Sequence, residues 1–168
     1  GVEMPPEEVP IIQKRIVQSC RDYGKPVVVA TQMLDSMINS PSPTRAEASD
    51  VATAVFDAAD SLMLSAETAS GKFPVESVQI MDRIIRGVEY DSSYRQILES
   101  KKIKLEETTS DAISSAASQV VKTVLAKAIF TYTRSGATAK RAARERPTVP
   151  IIGLSPDRIT ARQLALIW

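Results

Sequence analysis

Short apolar runs alternate with longer amphipathic stretches along the first half of the chain. The runs at residues 27–30 and 61–65 predict short buried strands, because continuous aliphatic runs of this length are typical of parallel sheets. Apolar residues spaced three or four apart predict helices around both runs. Two strands flanked by helices indicate parallel βα units. The helices are expected over 7–22 (apolar face Val9, Ile12, Ile16 and Cys20), over 44–59 (Val51, Val55 and Ala58) and after Pro74 (Val78, Met81, Ile85 and Val88).

The same alternation returns in the second half, after a stretch without it. Residues 91–108 lose the pattern and predict a linker or domain junction between two α/β domains, residues 1–90 and 109–168. The second domain is expected to begin with a helix from Ser110. That helix has Ile113, Ala117, Val120 and Val124 on one face, and is followed by a strand over 128–133, a helix over 139–146, a strand over 150–155 and a further helix from Thr160.

Composition narrows the function classes. The chain of 168 residues carries 21 basic and 20 acidic side chains, so its overall charge favours neither nucleic acid nor a membrane surface as a partner. Cys20 is the single cysteine, which excludes an internal disulfide and fits a reducing compartment. No leader and no long apolar run appear, so we expect a cytoplasmic protein. The start at Gly1 and the unterminated helical pattern at Trp168 suggest a piece of a longer protein.

The loop after the first predicted strand is longer than a βα connection needs, which usually takes about 2 to 6 residues. Thr31 directly follows the strand, and its hydroxyl either faces a ligand or bonds its own backbone. Thr44 and Glu47 have the spacing of a capping box that opens the next helix. On the residues alone, Arg45 and Glu47 could be a solvated ion pair or part of that cap. The loop is therefore a candidate binding surface.

A second polar loop follows the second strand. Ser65 and Glu67 are two residues apart at the strand tip, which predicts that their side chains point the same way. A carboxylate held there could pass a proton through the serine or a water, which is general-acid chemistry. A loop cap is the alternative interpretation.

A third loop, Thr133-Arg-Ser-Gly-Ala-Thr138, lies between a predicted strand and a predicted helix. Backbone N–H groups and the positive end of the helix dipole could bind a phosphate there. An anion pocket and a plain capped helix with a solvated basic face remain equally open. The nearby basic residues are Arg134, Lys140, Arg141, Arg144 and Arg146, against Glu145.

Four segments together resemble the pyruvate kinase family, of bacterial type. They are Gly1-Val-Glu-Met-Pro5, Ala30-Thr-Gln-Met-Leu-Asp-Ser-Met37, Pro41-Ser-Pro-Thr-Arg-Ala-Glu-Ala-Ser-Asp-Val-Ala52 and Asp60-Ser-Leu-Met-Leu-Ser-Ala-Glu-Thr68. The resemblance implies the last βα units of a TIM (β/α)8 barrel followed by the first part of an α/β C-terminal effector domain. It also implies phosphoryl transfer from phosphoenolpyruvate to ADP, giving pyruvate and ATP in glycolysis, by a homotetramer that needs Mg²⁺ (or Mn²⁺) and K⁺.

The resemblance also implies roles for single residues. The catalytic ones are Thr31, which is associated with substrate positioning and proton delivery, Ser65 and Glu67. Arg45 matches an interface arginine, and the effector loop corresponds to Thr133, Arg134, Ser135, Gly136 and Thr138.

Two positions depart from the family pattern. Ala66 stands where glycine is usual, which keeps the loop geometry only if φ is negative. Ala137 replaces a hydroxyl residue that sugar-bisphosphate-controlled relatives often carry. The family's phosphoryl-stabilising lysine and metal ligands precede Gly1, so we expect the chain alone to be inactive and to associate or be marginally stable.

Two other function classes remain open. The 133–138 loop could make the chain a regulatory module that binds a phosphorylated metabolite, and the face around Arg45 could make it an oligomerisation piece. The absence of histidine excludes an imidazole metal site and a histidine-based triad, and no Walker-type glycine loop is present.

Overall fold

The computed structural model describes residues 5–30, 32–101, 103 and 106–168 of the chain. This part contains eight α-helices and four short strands, and 3₁₀ turns cover Pro6–Glu8, Asp35–Ile38 and Leu164–Leu166. The order is α1 (Val9–Asp22), β1 (Val28–Ala30), α2 (Arg45–Phe56), β2 (Ser61–Met63), α3 (Ala66–Ala69), α4 (Pro74–Tyr90), α5 (Ser92–Ser100), α6 (Thr109–Val124), β3 (Ile129–Tyr132), α7 (Ala137–Arg144), β4 (Ile151–Leu154) and α8 (Arg158–Gln163).

By their contacts the residues fall into two compact units. The central unit runs from Val27 through α5, and the terminal unit combines α1 with the chain from Ile103 onward. Each contains one two-stranded parallel sheet among the described residues. The α/β class with parallel strands predicted from the hydrophobic pattern is therefore confirmed. The predicted domain boundaries group α1 with the first half of the chain, and they stay a prediction beside this finding.

In the central unit, β1 and β2 pair in parallel, with Val28 opposite Ser61 and Ala30 opposite Met63. Helix α2 lies between them in sequence, and the predicted capping box at its start is present, with Thr44 and Glu47 bonded reciprocally. Val51, Val55 and Ala58 are buried as the spacing predicts. Thus the first βα unit forms as the sequence indicates, with a strand one residue shorter than expected.

The core of the central unit contains a helix that the hydrophobic pattern did not predict. Tyr94 and Leu98 of α5 are buried in one cluster with Val55, Ala58 and Val88, and the Tyr94 ring meets Phe56 edge-on at 6.0 Å. Residues 92–100 of the expected linker are thus part of a core. The helix is short, and its apolar positions are too few to stand out among polar neighbours.

Helix α4 buries a narrower face than its pattern predicts. Met81 and Val88 are buried, whereas Val78 is 53% exposed and Ser77 takes its place inside. The hydroxyl of Ser77 donates to the Phe73 carbonyl at 2.7 Å, so this buried polar group is satisfied within the helix.

In the terminal unit, β3 and β4 pair in parallel with Ile129 opposite Ile151, and α7 packs its alanines against both strands. The faces predicted for α1 and α6 are wrong. Val17 and Arg21 are the buried residues of α1, and Ile16 is 53% exposed. Helix α6 buries Asp111, Ser114, Ser118 and Val121 and exposes Ile113, Val120 and Val124.

The burial of polar positions in α1 and α6 has a common cause, which is an ion cluster that spacing rules for apolar residues do not detect. Asp111 accepts hydrogen bonds from Arg141 at 3.1 Å and from Arg144 at 2.7 Å. Arg21 donates to the Arg144 carbonyl at 3.2 Å, and Arg144 donates to the Asp22 carbonyl at 3.4 Å. These bonds turn the charged faces inward.

In the described part of the chain, no helix combines the length and apolar character that a membrane crossing requires.

Candidate active site

The loops after β1 and β2 leave the sheet at the same edge. The strands are parallel and their last residues, Ala30 and Met63, are register partners. The loops after β1 and β2 therefore start side by side, and position 31 is the first residue after β1 in the sequence. The structure of Thr31 itself lies outside the described residues. Barrel enzymes place their reacting groups at this end of their strands.

The loop after β1, residues 32–44, is packed into the central unit. Gln32 adopts φ +53°, and Leu34 and Met37 are both fully buried. Leu34 precedes the 3₁₀ turn Asp35–Ile38 and Met37 lies within it, so both anchor the turn. The predicted binding loop is therefore a folded element with its own core residues. The spacing of its apolar residues is too irregular to reveal this.

Glu67 joins the loops that follow the two strands. Its side chain is 2% exposed, and its carboxylate accepts the Leu34 N–H at 3.2 Å and the Ser65 N–H at 2.7 Å. The predicted alternation of Ser65 and Glu67 on a strand is wrong, because β2 ends at Met63 and Glu67 lies in the short helix α3. The sequence nevertheless identified the carboxylate that bridges the two loops.

Close backbone contacts on the far side of α3 fix the same loops. The Lys72 N–H donates to the Ile38 carbonyl at 2.8 Å. A Cβ added to Gly71 would lie 2.5 Å from the Glu67 carbonyl oxygen and 3.2 Å from the Ile38 Cα. The backbones of Glu67 and Ile38 come so close to position 71 that it must be glycine. In the sequence, this requirement is visible only as a glycine within a polar loop. Ala66 begins α3 and is not among the residues with positive φ, so alanine fits this backbone.

Glu47 fixes the loop after β1 from the side of α2. Its carboxylate accepts hydrogen bonds from the Ser36 N–H and hydroxyl, both at 2.6 Å, and from the Thr44 N–H and hydroxyl at 2.7 and 2.8 Å. Burial alone would raise the pKa of Glu47, but the four hydrogen bonds outweigh it and lower the pKa from 4.5 to about 2. Glu47 is therefore ionised at any physiological pH. Arg45, two residues before it, is exposed at the first position of α2.

The candidate effector loop has a different construction. Thr133 is buried, and its N–H donates to the Leu154 carbonyl at 2.9 Å, which extends the β3–β4 ladder. Gly136 caps α7 with φ +82°, and a Cβ there would lie 3.3 Å from Leu164. Arg134, Ser135 and Thr138 are exposed. Their side chains, and the N–H groups that begin α7, can meet an anion from solvent.

The predicted basic face beside this loop is mostly turned inward. Arg141 and Arg144 pair with Asp111, and Arg144 and Arg146 are each 4% exposed. The guanidinium of Arg146 lies 5.1 Å from the centre of the Trp168 ring. The interpretation as a solvated basic face is therefore wrong for Arg144 and Arg146. Arg134 is exposed and Lys140 is partly exposed.

Sequence reasoning missed Asp111, which organises this cluster. Burial would raise the pKa of Asp111, but hydrogen bonds from Arg144 and the Glu106 N–H, with the charges of Arg144 and Arg141, lower it below its ordinary value. The available signal was Thr108 three residues before Asp111, since Thr108 caps α6 and accepts the Asp111 N–H at 3.2 Å. No group of three His, Cys, Asp or Glu side chains suited to a metal ion occurs in the described ranges.

Comparison with known proteins connects these loops to one family. The sequence profile for the pyruvate kinase barrel domain matches residues 1–78, and that for the pyruvate kinase alpha/beta domain matches residues 111–168. Over all 168 residues the chain is 54% identical to a pyruvate kinase of Agrobacterium vitis and 55% identical to one of Methylorubrum extorquens, and it covers 35% of each.

A solved structure agrees with the sequence comparison. The crystal structure of a pyruvate kinase from Cryptosporidium parvum is 40% identical, with a TM-score of 0.93 over 99% of this chain and 34% of the other. The chain spans about a third of the length of the relatives it matches. The two profiles together account for most of the chain, and the identity extends from its first residue to its last. The chain therefore belongs to the pyruvate kinase family.

Proposed function

We propose that the full-length protein containing this chain is a pyruvate kinase that transfers the phosphoryl group of phosphoenolpyruvate to ADP, giving pyruvate and ATP in glycolysis. The observation that carries the proposal is the identity of more than half of all positions with pyruvate kinases over the whole chain. The site geometry supports it, because the candidate loops follow parallel strands at one edge of the sheet. Two βα units alone cannot close a barrel, so we expect this chain by itself to be inactive.

The proposed part of this chain in catalysis is delivery of a proton to the substrate. When the phosphoryl group leaves phosphoenolpyruvate, an enolate remains, and its terminal carbon must gain a proton to become pyruvate. We assign Thr31, Ser65 and Glu67 to this side of the site. Glu67 is held by the Leu34 and Ser65 N–H groups, so the orientation of its carboxylate is fixed before substrate arrives. Ser65 lies two residues before Glu67 and is exposed, so its hydroxyl can take part in a relay.

Cations complete the proposed reaction. Mg²⁺ (or Mn²⁺) and K⁺ stabilise the developing charge on the transferring phosphoryl group in such chemistry. The described residues do not bring together a ligand set for a metal ion. We propose that the parts of the full-length enzyme outside this chain supply those ligands, and ATP is bound there as well.

The full-length protein is further proposed to be a cytoplasmic homotetramer. Arg45 is exposed at the start of α2, as a residue at a subunit interface would be in the separated chain. The apolar stripe of α6, formed by Ile113, Val120 and Val124, is more than half exposed. Contiguous apolar surface of this kind supports association with another protein surface. The single cysteine, Cys20, fits a reducing compartment.

Regulation is proposed at the loop formed by Thr133, Arg134, Ser135, Gly136 and Thr138. The exposed hydroxyls of Ser135 and Thr138, with the exposed Arg134, support binding of a phosphorylated effector. The inward orientation of Arg144 and Arg146 reduces the positive charge available to it. We therefore assign the recognition to backbone N–H groups, hydroxyls and one arginine.

The test is pyruvate formation from phosphoenolpyruvate and ADP with Mg²⁺ and K⁺, by the full-length protein, its Thr31→Ala variant and this chain alone. We expect activity in the full-length protein and a loss of about 10² to 10⁴ in kcat for Thr31→Ala, the usual range for losing a proton-transfer group. Thr148→Ala, at an exposed threonine outside both loops, is the matched control and should be unchanged. An inactive full-length protein would contradict the proposal.

A further inference from the structure

The loop after β1 is held from two sides by two carboxylates. On one side Glu67 accepts the Leu34 N–H, and on the other Glu47 accepts both the N–H and the hydroxyl of Ser36. Between them, Leu34 and Met37 are completely buried. We assign proton delivery to Thr31, which precedes this loop in the sequence, whereas Glu47 lies on the helix that follows it. Its four short hydrogen bonds need an explanation.

Helix capping alone does not explain them. A capping box needs one bond from the N–H of the capping residue to the glutamate, and Thr44 supplies that bond. The two bonds from Ser36 are extra, and they come from a turn 11 residues away. Glu47 thus ties the start of α2 to the 3₁₀ turn Asp35–Ile38.

Only an ionised carboxylate can accept these bonds at once. The Ser36 N–H donates to Oε1, whereas the Ser36 hydroxyl and the N–H and hydroxyl of Thr44 donate to Oε2, so both oxygens must be acceptors. A glutamine would present one acceptor oxygen and an NH₂ group, so either the Ser36 N–H or the Thr44 N–H would face a donor. The lowered pKa of Glu47 agrees with this geometry.

A second glutamate of this chain, Glu76, can be compared with Glu47. Glu76 is the third residue of α4, the same position that Glu47 has in α2, and it is exposed. The capping residue of α4 is Phe73, which makes no side-chain capping bond. A glutamate at this helical position therefore does not require the contacts that Glu47 makes.

We infer that Glu47 is a positioning residue of the proposed phosphoenolpyruvate site, which acts through Ser36 to hold the loop directly after Thr31 in its reactive conformation. The inference rests on the proposed function. Glu47 sets the loop from the α2 side and Glu67 sets it from the β2 side, so the segment between is fixed at two points. Small misplacements of reacting groups lower turnover strongly.

The experiment compares Glu47→Gln, Ser36→Ala and the double variant in the full-length protein, with Glu76→Gln as matched control. We expect each single change to lower kcat by about tenfold to a hundredfold, with a smaller change in KM for phosphoenolpyruvate. The double variant should be no slower than the slower single variant, because both changes break one contact. Ser36→Thr, which keeps the hydroxyl donor, should retain most of the activity.

A second measurement keeps folding and positioning apart. Hydrogen exchange at the Ser36 amide should accelerate in Glu47→Gln and not in Glu76→Gln, while circular dichroism confirms that both variants are folded. Additive effects in the double variant, or unchanged kcat in Glu47→Gln, would overturn the inference. If the unaltered protein forms no pyruvate, the proposed function fails and the positioning role fails with it, whereas the exchange rates still report whether the Glu47–Ser36 contact exists.

Discussion

Two strand-to-helix loops of this chain, those after β1 and β3, are built in opposite ways. In the loop after β1, the carboxylates of Glu47 and Glu67 bind N–H groups of the loop itself. After β3, the carboxylate of Asp111 binds Arg141 and Arg144 of α7 and not the loop. Asp157 reaches this loop only through the Thr160 hydroxyl, which contacts the Arg134 carbonyl. The backbone of the first loop is thus held by two carboxylates, whereas the second loop exposes its hydroxyls to solvent or a ligand.

The difference matches the proposed roles of the two loops. Chemistry at the first loop requires groups that are already oriented, because reorganisation during the reaction adds to the barrier. Binding of an anion at the second loop brings the negative charge with the ligand. The comparison therefore predicts that the first loop is rigid and that substitutions in the second loop change ligand binding.

The largest effect is expected at the ion cluster that holds the second region. Asp111→Ala should lower the free energy of unfolding of the terminal unit by about 3 to 5 kcal/mol, because it leaves the buried Arg144 without its carboxylate. Denaturant unfolding followed by circular dichroism measures this loss. Asp50→Ala, at an exposed aspartate of α2, is the control and should stay within about 0.5 kcal/mol.

The same cluster has a pH signature with a definite sign. The pKa of Asp111 is lowered in the folded protein from its ordinary value of 3.8. Its contribution to stability is therefore fully present above pH 3.8 and is lost as the pH falls through the lower folded-state pKa. Asp111→Ala should remove this part of the acid dependence. Equal acid dependence in the variant and the unaltered chain would contradict the assignment.

Hydrophobic spacing predicted the βα alternation but not the polar interior of the terminal unit. The strands and α2 follow from short apolar runs and from the Thr44–Glu47 capping box, which are local signals. The buried face of α6 depends on Asp111 meeting Arg141 and Arg144, which are about 30 residues away, and no local pattern encodes that meeting. The predicted apolar stripe exists in the sequence, and the structure leaves it exposed.

The candidate site shows the same division between local and distant signals. Glu67 was found through its motif, but its bond to the Leu34 N–H joins residues 33 positions apart. The contact between Glu47 and Ser36 was missed, because capping already accounts for a glutamate at that position. The type and position of a helix or strand can be predicted from residues adjacent in sequence. The partner of a buried charged group is identified only from the three-dimensional structure.

A smaller effect is expected where the first loop meets α3. Gly71→Ala should cost about 1 to 3 kcal/mol in stability, since the added Cβ would lie 2.5 Å from the Glu67 carbonyl oxygen and only backbone movement can relieve that contact. Gly87→Ala, inside α4 with nothing within 4 Å of its Cβ, should instead stabilise by about 0.5 to 1 kcal/mol. Thermal melts of both variants measure the difference in sign, and a neutral Gly71→Ala would mean that the first loop is not rigid.

The smallest structural effect is expected at the second loop, where only ligand binding should respond. Ser135→Ala and Thr138→Ala each remove an exposed hydroxyl, so stability should stay within about 0.5 kcal/mol of the unaltered protein. Titration of the full-length protein with sugar phosphates, AMP and inorganic phosphate should give a saturable signal, which either substitution weakens by about tenfold, the loss expected for one hydrogen bond to a charged group. Ser49→Ala, at an exposed serine of α2, is the control. Binding that survives both substitutions unchanged would move the effector site away from this loop, and the contrast between a fixed loop and a ligand-dependent loop would no longer hold.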